Sequence, residues 1–136
     1  RRYAGVRAFL DRTLEETRRT GYVRTLLGRR RPLPDINAPN GPARAAAERM
    51  AVNAPVQGSA ADLIKLAMIR ADRALREKGL RSRMLLQVHD ELVFEGPEGE
   101  SAELRGLAVE AMEGAMELDV PLKVEVASGL NWGELQ

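Results

Sequence analysis

Three groups of residues in this chain could do chemistry. His89-Asp90-Glu91 sits between two short apolar runs, and a His beside two carboxylates can hold a divalent cation. On a regular strand Asp90 and Glu91 point to opposite faces, so at most one is expected to ligate an ion unless the turn bends sharply. The plain structural alternative is a polar hairpin turn, where Asp and His are ordinary residues. Arg29-Arg30-Arg31, with Arg24 upstream, can grip phosphates, although three successive side chains cannot all face one way; the alternative is a solvated turn. The third group is Arg44, Glu48, Arg49, Asn53 and Gln57. Arg49 and Asn53 are spaced to share a helix face, and Gln57 follows Pro55. Arg can bind phosphate while Asn and Gln can bond to base edges; the same residues could equally cap and rim a helix break at Pro55.

The elements that must position these groups follow from the hydrophobic spacing. A helix is expected over residues 2–20, with Tyr3, Val6, Leu10 and Leu14 in one stripe and Gly21 as its stop. Tyr22 to Leu27 reads as a strand, followed by a turn at Gly28 that carries the arginines. Pro32, Pro34, Pro39 and Pro42 then predict an exposed loop. A second helix spans Pro42 to Asn53. Pro55 interrupts the pattern, and a third helix runs from near Val56 to Lys78 with Ala60, Leu63, Ile64, Ala67, Ala71, Ala74 and Leu75 on one stripe. Beyond Arg83 the period shortens. Met84–Val88 and Leu92–Glu95 read as a β-hairpin with His89-Asp90-Glu91 at or near its turn. A fourth helix is expected over 98–118, with Leu104, Leu107, Ala108, Ala111, Met112, Ala115 and Met116 inward, and a last strand over Leu122–Val126. Trp132 is expected to pack the chain end onto the body. The architecture that follows is α+β: a small antiparallel sheet packed on the third and fourth helices, with a helical arm before it.

Composition narrows the chemistry. The chain has 136 residues, 44% hydrophobic and 30% charged, which suits a folded domain or part of a larger one. It has no Cys, which excludes a disulfide scaffold, a thiolate zinc site and a cysteine nucleophile. Its single His excludes a multi-His metal site. No apolar run approaches the roughly 20 residues of a membrane span, and no leader marks the chain for secretion. The net charge of +1 conceals a division: residues 1–83 hold 19 Lys/Arg against 8 Asp/Glu, and residues 84–136 hold 2 against 12. The basic half suggests a polyanionic partner, or attraction to the acidic half or to other parts of a larger protein. The chain starts Arg1-Arg2-Tyr3 without an initiating Met, so it is expected to be a fragment.

Order and spacing of three segments resemble the C-terminal part of the bacterial DNA polymerase I family, family A. The first is Gly28-Arg29-Arg30-Arg31 with Pro34-Asp35 downstream. The second is Ala46-Ala47-Glu48-Arg49-Met50-Ala51, then Asn53, Pro55, Gln57-Gly58 and Ala60-Ala61-Asp62. The third is Gln87-Val88-His89-Asp90-Glu91-Leu92-Val93, which is similar to the family's third polymerase motif. Ser59 stands where Thr is usual in the family.

The resemblance implies a DNA-directed DNA polymerase part for replication and repair, with primer–template DNA, deoxynucleoside triphosphates and the upstream part of the same polypeptide as partners. It also implies a cytoplasmic, nucleoid-associated setting. Asp90 would be one of two metal-binding aspartates holding Mg2+, and Glu91 its acidic neighbour, supporting the site more than chelating. His89 would approach the primer strand from the minor groove. Gln57 would contact the minor groove at the terminal base pair with Asn53 nearby, and Arg31 and Arg49 would meet the DNA backbone. Residues 1–43 would lie on the fingers side, and residues 44–136 would form part of the palm with the metal-site hairpin. The second metal-binding Asp and the nucleotide-binding fingers helix are not in this sequence, so the chain alone is expected to be inactive. The alternative reading is a non-catalytic nucleic-acid-binding module that keeps the palm fold.

Overall fold

The computed structural model describes residues 3–135. Arg1, Arg2 and Gln136 lie outside the described residues, and so does the expected first residue of the opening helix. The chain forms two compact units, Arg1–Asp62 and Leu63–Gln136.

In the first unit, helix α1 spans Ala4–Thr20 and stops at Gly21, whose φ of 78° is the left-handed conformation glycine adopts without strain. The Gly21 N–H donates to the Thr17 carbonyl at 2.8 Å. Only the C-terminal half of the expected apolar stripe is used. Thr17 is buried and Leu14 packs on the core, whereas Tyr3, Val6 and Phe9 are exposed. The physical reason is that, among the described residues, the core cluster of this unit takes only Leu14 from α1.

Strands β1 (Tyr22–Arg24) and β2 (Arg30–Pro32) pair antiparallel, with Tyr22 opposite Pro32, Val23 opposite Arg31 and Arg24 opposite Arg30. This corrects two expectations. The first strand ends at Arg24 and not at Leu27, and Arg30 and Arg31 are strand residues and not turn residues. Gly28, at φ 82°, lets the chain reverse within Thr25–Arg29, a loop closed by the Thr25 N–H on the Arg29 carbonyl at 3.0 Å. The following proline-rich segment is not uniformly exposed either: Leu33 and Ile36 are buried, and Pro34–Asn37 forms a 3-10 turn.

The second and third expected helices are one. Helix α2 runs from Gly41 to Glu77 with Pro55 inside it. A proline in a helix interior loses one backbone hydrogen bond and costs about 3 kcal/mol, which is why the sequence reads as broken there. The inner face offsets this. The helix buries apolar side chains on both sides of the proline, Ala47, Ala51 and Ala54 before it and Ile64, Ala67 and Ala71 after it.

In the second unit, β3 (Arg83–Val88) and β4 (Glu91–Glu95) form the expected hairpin, with a bulge between Met84 and Leu86. Ala71 and Leu75 of α2 pack with Leu107 and Ala111 of α3 (Ser101–Glu113), and Phe94, Leu80 and Leu104 close around them. The Glu100 carboxylate, just before α3, accepts the backbone N–H groups of Arg81 and Ser82 and the Ser82 hydroxyl at 3.1, 2.9 and 2.6 Å. The Ser82 hydroxyl, followed by these backbone donors, holds the Glu100 carboxyl below its ordinary pKa.

The α+β class stands, with four corrections in detail. The sheet structure of the described residues is two separate two-stranded sheets. Helix α3 ends at Glu113, well short of residue 118, with Gly114 as its cap. Leu122, Val124 and Val126 are half-buried and alternate with exposed Lys123 and Glu125, yet no ladder forms among the described residues, because the segment has no paired neighbour there. Trp132 is 55% exposed, so it does not anchor the chain end as expected. Among the described residues no helix is long and apolar enough to cross a membrane.

Candidate functional site

The β3–β4 hairpin is closed by the tightest loop available to it. Val88 and Glu91 are cross-strand partners, so His89 and Asp90 alone make the turn. His89 has φ 55°, the left-handed region, while Asp90 does not. A positive φ at the first loop position is a feature of the primed hairpin turns, where glycine is adopted without strain. A histidine held there carries backbone strain of the kind that persists where the surroundings over-determine it. The surroundings include Gln87, whose Nε2 donates to the His89 carbonyl at 2.6 Å. His89, Asp90 and Glu91 are all exposed at the hairpin end.

Asp90 thus presents an open carboxylate on a braced turn, and Glu91 is the first residue of β4. Such a carboxylate fits one oxygen position of a hard cation such as Mg2+. Among the described residues no group of three or more His, Cys, Asp or Glu could hold a metal ion, so further ligands would come from outside them.

In the first unit the continuity of α2 decides the second arrangement. Arg49, Asn53 and Gln57 fall at successive four-residue steps along one unbroken helix, and all three are exposed. They form a polar stripe of one cation followed by two amides, on the side away from buried Ala47, Ala51 and Ala54.

The three arginines have separate fates. Arg31 lies opposite buried Val23 and reaches α2, its Nη2 lying 3.5 Å from the Met50 sulfur. Arg29 is occupied internally: Nε donates to Asp62 Oδ1 at 2.8 Å and Nη2 to the Gly58 carbonyl at 3.0 Å. Arg30 stacks on Tyr22, as does Arg24. A cleft whose lining includes Arg24, Arg29, Arg30, Arg31, Gln57 and Gly58 brings Arg31 and Gln57 to one place. Arg44, from the third group, donates to the Ala38 carbonyl at 3.1 Å, and Glu48 pairs with Arg18 at 2.8 Å.

Two residues that spacing did not single out set the position of this cleft. The buried Ser59 hydroxyl accepts the Leu26 N–H at 2.9 Å and donates to the Pro55 carbonyl, tying the β1–β2 loop to the helix just past the proline. Gly58 is required by close approach, since a Cβ there would lie 2.6 Å from Thr25 Cγ2. The sequence signal for both was the Gln57-Gly58-Ser59 run beside a proline, which is too common a pattern to interpret alone.

The structure therefore places Arg31, Arg49, Asn53 and Gln57 in the first unit, and His89, Asp90 and Glu91 in the second. The DNA polymerase family A model matches residues 1–134. The DNA polymerase I of Mycobacterium tuberculosis is 54% identical over 131 residues, covering 96% of this chain and 14% of that protein. The thermostable DNA polymerase I of Thermus thermophilus is 58% identical over 127 residues, covering 93% of this chain and 15% of that protein. The solved structure of the POL domain of Pol1 from M. smegmatis, in complex with DNA primer-template and dNTP, superposes with a TM-score of 0.96 at 54% identity, over 98% of this chain and 24% of that one.

Proposed function

The chain belongs to DNA polymerase family A, and from that premise we propose that it is the C-terminal portion of a bacterial DNA polymerase I polymerase domain. In this reading it works in template-directed nucleotidyl transfer to a primer 3′ end during DNA replication and repair, in the cytoplasm. It acts jointly with upstream residues of the same polypeptide, on primer–template DNA and deoxynucleoside triphosphates. Residues 1–43 belong to the fingers side and residues 44–136 to the palm.

The observation that carries this reading is the exposed stripe Arg49–Asn53–Gln57 with Arg31 beside its end. A cation suits a phosphate, and an amide donor suits the minor groove. There both orientations of an A·T pair present acceptors, so a donor tests pair shape without reading sequence. A copying enzyme needs that combination. Arg31 and Arg49 hold the backbone, Gln57 tests the terminal base pair with Asn53 near it, and His89 approaches the primer strand. Asp90 would supply one ligand to Mg2+, with Glu91 supporting the site, and the bound metal would supply activation of the primer hydroxyl and charge stabilisation for the leaving pyrophosphate.

The test is Asp90→Ala in the full polypeptide that carries this chain. Primer extension should fall by several orders of magnitude while primer–template affinity changes little, because a metal ligand acts on the transition state and duplex binding rests on phosphate contacts. Glu91→Ala should be milder. Near wild-type extension by Asp90→Ala would favour the alternative, a non-catalytic nucleic-acid-binding module with the same fold.

A further inference from the structure

The β1–β2 hairpin has a second basic feature that the proposed DNA contacts leave unused. Tyr22, Arg24, Arg30 and Pro32 share one face of the two strands by register, and Val23 and Arg31 share the other. Arg24 and Arg30 are direct cross-strand partners, and their guanidinium carbons lie 5.1 and 4.8 Å from the centre of the Tyr22 ring. Arg24 Nη2 also donates to the Tyr22 hydroxyl at 2.6 Å. Both arginines are exposed, and the ion pairs of the described residues involve neither of them. Glu16 is near enough for its charge to act on Tyr22 and Arg24, but it forms no ion pair with them.

Like charges directly opposite on a strand pair repel. Here the shared aromatic face draws them together and restricts both planar forks. Two pre-oriented guanidiniums with no carboxylate partner match the oxygens of a phosphate group. We propose that Arg24 and Arg30, gathered by Tyr22, form a second phosphate site that takes a phosphodiester of the nucleic-acid backbone, next along the cleft from Arg31 and Gln57. This rests on the reading of the chain as a primer–template binder. The backbone is the better source than the triphosphate of a nucleotide, because both arginines are exposed and line the same cleft as Arg31 and Gln57, the residues read as duplex contacts.

The experiment compares the full polypeptide with its Arg24→Gln/Arg30→Gln and Arg24→Lys/Arg30→Lys variants. Primer–template affinity is titrated across a range of salt concentrations, and the KM for deoxynucleoside triphosphate is measured alongside. The Gln pair should lower the slope of log affinity against log salt by about one unit, and the Lys pair should keep it near wild type. If the double Gln variant melts early, Arg24→Gln and Arg30→Gln are titrated singly, and each should lower the slope. An unchanged slope in the Gln variants, with Arg49→Gln lowering it, would overturn this site and leave the proposed function standing. An unchanged slope with a raised nucleotide KM would also overturn it, in favour of a triphosphate contact. Wild-type protein without salt-dependent primer–template binding would overturn both.

Discussion

Arg29 Nε lies 2.8 Å from Asp62 Oδ1, and the same guanidinium reaches the Gly58 carbonyl, so one arginine of three in a row is a brace between a hairpin loop and a helix. Asp62 is 8% exposed, and its partner's side chain is about half exposed. The arrangement holds Gly58, and Gln57 before it, against the Thr25–Arg29 loop.

Arg29 and Arg30 should therefore behave differently on mutation. Arg29→Ala should destabilise the fold by about 2 kcal/mol, the loss expected for hydrogen bonds to charged groups, reduced from the buried-pair value because Arg29 is half exposed. Arg30→Ala should stay within about 0.5 kcal/mol, as a surface change does. Denaturant unfolding of the two variants checks this, and equal effects would remove the distinction.

Arg49 and Gln57 share a helix stripe but should fail in different ways. Arg49→Ala should weaken duplex binding for every sequence and reduce its salt slope by about one unit. Gln57→Ala should leave the slope alone, since a neutral amide releases no counterion, and should slow extension and change tolerance of a mismatched primer end by about 1–3 kcal/mol. Salt titrations paired with matched and mismatched extension assays separate the two. A Gln57→Ala variant that extends both ends like wild type would assign that residue to the fold alone.

His89 sits at a backbone position that glycine prefers. His89→Gly should leave thermal stability equal or raise it by up to about 1 kcal/mol, by removing left-handed strain. Primer extension should nevertheless slow, because the imidazole is lost. A variant with lower stability and unchanged extension would show that the histidine serves the turn.

Glu100 makes acid stability predictable in sign. Its carboxyl titrates below its ordinary value of 4.5 because the Ser82 hydroxyl, the Arg81 N–H and the Ser82 N–H favour the charged form. A depressed folded-state pKa contributes stability that is fully present above the unfolded value and lost as pH falls through the folded one. The melting-temperature difference between wild type and Glu100→Gln should therefore hold constant above pH 4.5 and shrink below it. A difference independent of pH would show that shape alone, and not charge, matters at this position.

Periodicity and chemistry by themselves determined the helices flanking Gly21 and Gly79, the hairpin that carries Asp90, and the family resemblance. Helical spacing marked Leu107 and Ala111 as inward, alternation marked the hairpin, and the Gln87–Val93 run carried the resemblance, because each of these signals is local in the chain. Tertiary structure decided what depends on distant partners. Pro55 reads as a break until the helix is seen to bury Ala51 and Ala54 before it and Ile64 and Ala67 after it, and only then do Arg49, Asn53 and Gln57 fall on one stripe. The arginine run looks uniform in sequence, yet strand pairing sends Arg31 toward Met50 and Arg30 onto Tyr22, while Asp62 captures Arg29. Alternation at Leu122–Val126 was legible, but a strand also needs a neighbour for its N–H and C=O groups, and among the described residues none is paired with it.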